Sequence, residues 1–196
     1  MQAKSLSKKR VLLVALVLSA VTILMKQGGT EMFYESAYPK SPVGEIEVKA
    51  IPSALTLTAA GRGKNYFSSA NNSFMTLFRY IQRNEVKMTV PVEAYIEKNE
   101  MKFFVGTKDL RKGLSSSKNV DVNLENGKMV LSIGLRGPYT VENFIKGKEQ
   151  LLAWLTRNQQ YQSIGEAYAV YWNSPFCPGF LKRSEVHIPI ERQPAS

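Results

Sequence analysis

This sequence predicts an α+β fold: antiparallel strands curved into a distorted β-barrel, with two packed helices. Three observations carry that expectation. Runs that alternate apolar and polar residues, the period of a half-buried strand, recur along the chain. Two segments, beginning near Ser73 and Thr140, instead repeat apolar residues at helical spacing. The order strand, helix, strand, strand then occurs twice, its copies about 70 to 80 residues apart, which reads as a duplicated β-α-β-β unit.

Taken in order, the folded domain is expected over residues 43–196. Ile46, Val48 and Ala50 alternate with Glu45, Glu47 and Lys49 in a first strand that Pro52 ends, and a second runs from Ala54 to Ala59. Gly61-Arg-Gly-Lys64 lacks the spacing and the Lys-Ser/Thr ending of a phosphate loop, and reads as a turn. Asn71, Asn72 and Ser73 are capping candidates for a helix whose apolar residues Phe74, Leu77, Phe78 and Ile81 share one face. Met88, Val90, Val92, Ala94 and Ile96 alternate next, before a short strand near Met101 to Val105. In the second unit Val120, Val122 and Leu124 alternate up to Asn126-Gly127, and Met129, Leu131, Ile133 and Leu135 alternate away from it. Asn-Gly favours a type I′ turn, so this stretch predicts a hairpin. Thr140 caps the second helix, with Ile145, the stem of Lys148, Leu151, Leu152 and Leu155 on its apolar face; strands follow at Ala167–Trp172 and Glu185–Ile190.

Ahead of the domain, residues 1–26 read as a signal peptide or membrane anchor. Lys4, Lys8, Lys9 and Arg10 precede an uncharged run, residues 11–25, and Lys26 follows it. At ~1.5 Å per residue that run covers about 22 Å, short of the ~30 Å hydrocarbon core. Left uncleaved it would hold the protein to a membrane; either way the domain is exported, periplasmic or extracellular, or membrane-anchored by its N-terminus. Residues 27–42, with two glycines and two prolines, read as a linker.

The net charge of +10 falls to +5 once the five leader cations are set aside, leaving 21 basic residues against 16 acidic. These are scattered without an aromatic-basic stripe, which speaks against nucleic-acid binding. One cysteine excludes an internal disulfide and a cysteine-rich metal site. Cys177-Pro178 either presents a thiolate from an exposed loop or packs with Pro175 and Phe176. The single histidine, His187, shares a strand face with Glu185 and Pro189, and is read as a surface residue. Glu93 and Glu166 sit on matching strands of the two units, either as a carboxylate pair or as solvent-facing side chains. Arg183 and Glu185 are expected to pair structurally. A Ser-His-Asp set could be built only through His187.

Two stretches carry a family resemblance. Phe74-Met-Thr-Leu-Phe-Arg-Tyr-Ile81 runs on to Met88-Thr-Val-Pro-Val92, and Tyr171-Trp-Asn-Ser-Pro175 runs on to Lys182-Arg-Ser-Glu-Val186. In order and distance they resemble the SOUL family of haem-binding proteins, over roughly residues 43 to 191. The resemblance implies the same barrel and, as ligand, haem or another tetrapyrrole: a hydrophobic planar small molecule held in an apolar pocket with weak or absent axial ligation. Phe74 and Phe78 would form its wall, with Cys177 as a possible iron ligand. The chain departs from the family where basic residues face the propionates, having Asn71 and Cys177 there; Arg79, Lys182 or Arg183 could substitute from nearby. Ser184 stands where asparagine is common. Two competing readings stay open: a small-molecule hydrolase of the related barrel class using a pocket glutamate, and a non-catalytic envelope interaction protein.

Overall fold

Strand pairing makes the duplication visible in space. The computed structural model describes residues 34–63, 66–68 and 71–194; residues 1–33, with the expected leader, lie outside them. Its strands are β1 (Glu35–Ser36), β2 (Ile46–Ile51), β3 (Ala54–Ala60), β4 (Thr89–Val90), β5 (Val92–Tyr95), β6 (Glu100–Phe104), β7 (Asp121–Glu125), β8 (Lys128–Arg136), β9 (Tyr161–Ser163), β10 (Tyr168–Tyr171) and β11 (Arg183–Arg192). The helices are α1 (Ser73–Arg83) and α2 (Val141–Arg157). The main sheet runs β2-β8-β11-β10-β5-β6-β3-β7, with β9 added on β11. Antiparallel throughout, it curls into a half-barrel. Its centre is the β10–β5 pair, and each unit repeats outward from there: β10, β11 and β8 on one side, β5, β6 and β3 on the other. The first strand of each unit crosses over, so that β2 pairs with β8 and β7 with β3.

That exchange overturns the predicted hairpin. β7 and β8 lie far apart in the sheet order, and neither Asn126 nor Gly127 has the positive φ that a type I′ turn needs. Gly127 instead packs on the equivalent corner of the other unit: a Cβ there would stand 3.2 Å from the Ile51 carbonyl oxygen and 3.4 Å from Ser53 N. Local turn chemistry loses to the partners the two strands find elsewhere.

Both helices lie on one face of the sheet. α1 starts where Asn71 Oδ1 accepts from the backbone N–H of Ser73 at 3.0 Å and from its hydroxyl at 2.8 Å; it buries Leu77, Tyr80 and Ile81 and leaves Phe74 and Phe78 half-buried at its flank. α2 is capped by Thr140, whose side chain accepts from Asn143 N–H, as the sequence predicts. Its buried residues are Phe144, Gly147 and Leu151, with Trp154 and Leu155 packed alongside, whereas Ile145 and Leu152 point outward. The predicted face was rotated because it gave Gly147 no weight. A Cβ at Gly147 would meet Val186 Cγ2 at 2.6 Å and Leu135 Cδ1 at 3.1 Å, so glycine lets the helix sit close on β8 and β11. Gly147→Val is expected to cost about 1–3 kcal/mol by overpacking. Exposed Glu149→Val should stay within about 0.5 kcal/mol in the same urea titration.

The opposite face of the sheet is also covered. Residues 34–42, read as linker, belong to the folded unit: β1 pairs in parallel with β4, and Tyr38 and Ser41 are buried. This strap crosses β8 at Gly134, where a Cβ would fall 2.1 Å from the Pro42 carbonyl oxygen. With both faces covered, alternation no longer marks the dry side. On β2, Lys49 is buried while Val48 and Ala50 are exposed, the reverse of the sequence reading.

Candidate functional site

On the helix side, the start of α1 and the ends of β5, β6 and β10 leave an open cleft of about 260 Å³. Its wall is aromatic. Tyr66 and Phe67 come from the loop before α1, Phe74 from the first turn of α1, Tyr139 from the approach to α2 and Tyr171 from β10; Val92 and Met101 line it as well, and no charged residue does. Tyr139 stacks on Tyr171 with ring centroids 4.0 Å apart and planes within 20°, and Tyr66 meets Phe67 edge-on at 5.3 Å. Phe74 lies edge-on to Phe103 at 5.5 Å, and Phe78 stacks beside it at 5.9 Å without lining the cleft. Such surfaces suit a flat apolar ring system.

The polar groups of the cleft are already committed. Asn71 Nδ2 donates to the Tyr66 carbonyl at 2.6 Å while its Oδ1 caps α1, so the residue at the family's basic position ties the loop to the helix. The Tyr139 hydroxyl accepts from Asn173 N–H at 3.0 Å and donates to the Arg183 carbonyl at 3.1 Å. Burial pushes the phenols of Tyr66, Tyr139 and Tyr171 up, so all three remain protonated at neutral pH and are poor iron ligands. Cys177 lies just beyond Pro175 at the cleft's edge; its N–H donates to the Ser174 carbonyl and its thiol is free, but it does not line the wall. Lys182 reaches the rim, donating to the Pro175 carbonyl at 3.0 Å with its Nζ 4.7 Å from the Tyr139 ring centroid. Arg79 faces a separate polar groove with Arg62 and Arg83, away from the cleft.

A second cluster of buried ionisable groups lies on the other face, under the strap. His187, read as a surface residue, is fully buried: burial lowers its pKa below the usual range, its Nε2 lies 2.7 Å from Glu185 Oε2, and Tyr168 Oη lies 3.2 Å from its Nδ1. A neutral imidazole donating to Glu185 and accepting from Tyr168 satisfies both contacts. Glu185 also takes Lys49 Nζ at 2.9 Å, Ser132 Oγ at 3.1 Å, Trp172 Nε1 at 2.8 Å and the Ser41 N–H at 2.7 Å. Burial alone would raise its carboxyl; the hydrogen bond from His187, the charge that this ring takes on in acid, and Lys49 outweigh that and hold it at about 2. The expected Arg183–Glu185 pair is replaced by a shared grip on Ser41, whose carbonyl accepts from Arg183 Nη2 at 2.9 Å.

Glu93 belongs to the same layer. It is fully buried rather than solvent-facing, accepting from Tyr38 at 3.2 Å and Tyr95 at 2.8 Å, with Lys128 Nζ at 3.5 Å. Its predicted partner Glu166 is exposed; the carboxylate that lies across β10 from Glu93, both in register with Val170, is Glu185. Glu93 does not line the cleft, which removes the geometric basis for a pocket glutamate there. Among the described residues no group of three or more His, Cys, Asp or Glu side chains is placed to hold a metal ion.

An antiparallel half-barrel carrying two helices, with an aromatic cleft beside the first, defines a domain suited to a small apolar ligand. Residues 33–189 match the SOUL heme-binding protein family, and the chain belongs to that family. Comparison with curated proteins returned no match. Among solved structures the fold resembles EcmrR in its complex with DNA (TM-score 0.55, 16% identity, 95% of this chain and 69% of that one). It also resembles the EcmrR C-terminal domain (0.53, 15%, 76% and 98%) and an uncharacterized conserved protein from Listeria innocua (0.51, 11%, 77% and 94%). At such identities the likeness is one of fold alone.

Proposed function

We propose that this protein binds haem or a related tetrapyrrole by apolar contact in the cleft beside α1, without a strong axial ligand. The observation that carries the reading is the wall itself: five aromatic side chains and no charge, on a member of a haem-binding family. About 260 Å³ is below the ~300–1,000 Å³ of a site that encloses its ligand, so one edge of a macrocycle inserts between Phe74 and Tyr171 while its propionates stay at the rim near Lys182. Met101 is buried in the wall, and the Cys177 sulfur lies at the edge without lining it. Residues 1–26 are proposed, separately, to act as a signal peptide or membrane anchor. Among the described residues no helix is long and apolar enough to cross a membrane.

Phe74 and Phe78 separate the ligand reading from a purely structural one. Phe74→Ala is expected to weaken protoporphyrin binding about tenfold, since a lost aromatic contact is worth ~1 kcal/mol or more. Phe78→Ala, behind the wall, should chiefly lower stability. Tryptophan quenching and urea unfolding on both variants check this; equal affinity losses at the two positions would contradict the assigned wall.

A further inference from the structure

The loop between β10 and β11 presents a feature that the cleft does not use. Phe176 is 89% exposed, Phe180 72% and Leu181 48%, so three large apolar side chains stand in water within six residues. The backbone under them is tied down. Cys177 N–H donates to the Ser174 carbonyl at 3.0 Å, a short 3₁₀ turn spans Gly179–Leu181, and Lys182 bonds the Pro175 carbonyl. These side chains are therefore presented outward by a built loop. No acidic residue occurs from Asn173 to Ser184, while Lys182 and Arg183 end the loop and exposed Lys40 lies beside it, its Nζ 5.0 Å from the Trp172 ring centroid.

We propose that this loop inserts into the interface of an anionic lipid bilayer, Phe176 and Phe180 entering the acyl boundary and Lys40 and Lys182 meeting the headgroups. Aromatic side chains on a convex tip, backed by cations and free of acids, match the two attractions that hold peripheral proteins at such surfaces. A protein partner would need a pocket for two protruding rings; a bilayer needs none. Pro175, at the start of the loop, lines the cleft, so insertion turns the cleft mouth towards the membrane. This last consequence, loading of an apolar ligand directly from lipid, rests on the tetrapyrrole reading; the insertion itself does not.

The chain's one cysteine sits inside the loop and reports on it directly. The full chain is labelled at Cys177 with an environment-sensitive dye and bound to vesicles of equal parts phosphatidylcholine and phosphatidylglycerol. The leader is present in every sample, so tethering is constant and only the loop is read. The dye is expected to shift its emission to the blue and to be quenched by lipid-borne bromine. In the variant carrying Phe176→Ser and Phe180→Ser that shift is lost, and a label at exposed position 149 (Glu149→Cys with Cys177→Ser) shows none. No shift at Cys177 on vesicles that carry the protein overturns the proposal. So does a shift that survives the double substitution, or one that grows with protein concentration in the absence of lipid, which would place a second copy on the loop. Tetrapyrrole is absent from all arms, so failure here leaves the ligand reading intact.

Discussion

Glu185→Ala is expected to cost the domain about 3–5 kcal/mol, because one carboxylate holds donors from five different places in the chain. Removing it leaves Trp172 Nε1 without its acceptor, takes the carboxylate from Lys49, His187 and Ser132 in the interior, and releases the backbone N–H of Ser41. The cost exceeds that of a lost surface ion pair because the residue is 1% exposed, so water cannot take over its partners. The same site sets the acid response. The native carboxyl titrates near 2 against an ordinary value of 4.5, so its contribution, on the order of 3 kcal/mol, is complete above pH 4.5 and is lost as pH falls towards 2. His187 acts in the same sense and earlier. Its native pKa lies below 6.5, so the unfolded chain takes the proton more readily and stability declines as pH drops below 6.5. Urea unfolding of the wild type should therefore weaken progressively from neutral pH into acid, while Glu185→Ala, already destabilised at pH 7, loses less than the wild type between pH 4.5 and 2. A variant within about 1 kcal/mol of wild type at pH 7 would show that the network is not a structural keystone.

Tyr38→Ala is expected to be nearly as damaging, at about 3–5 kcal/mol for an emptied aromatic site. The Tyr38 ring lies edge-on to Phe104 at 5.6 Å and to Trp172 at 5.8 Å, and its hydroxyl reaches Glu93. It is thus the residue through which the strap closes the face opposite the helices. Tyr38→Phe keeps the ring and gives up one hydrogen bond to a carboxylate, a loss of about 1.5–3 kcal/mol. The ordering Ala worse than Phe, read by urea unfolding, checks that packing exceeds the hydrogen bond. A cost below about 1 kcal/mol for Tyr38→Ala would mean that residues 34–42 act as a tether after all.

Much of this architecture is legible in the sequence. The duplicated unit, the Thr140 cap and the aromatic first helix all follow from period and capping chemistry, and they hold because those signals are local. What failed was long-range. Asn126-Gly127 is a sound hairpin signal, but β7 and β8 exchange partners with the other unit, and nothing within either strand records that. Alternation likewise shows that Glu185 and His187 share a face without saying whether that face is wet. Here the strap seals it, so Lys49, Glu93 and His187 are buried where a one-sided sheet would expose them. The cleft was half visible. Phe74 follows from the helical face, and Tyr171 stands in one of the two family stretches. Tyr66, Phe67 and Tyr139 come from loops, where no period marks a residue as facing a ligand.

Titrating the protein with ferric haem and metal-free protoporphyrin in parallel, followed by absorbance and tryptophan fluorescence, distinguishes tetrapyrrole binding by contact in the cleft from binding by iron ligation. Saturable one-to-one binding of both is expected, with affinities within about tenfold of each other, because the wall supplies apolar surface and no strong axial donor. Binding of haem with none of protoporphyrin would contradict it and place the iron on Cys177 or Met101, and binding of neither would remove tetrapyrroles from the function of this chain.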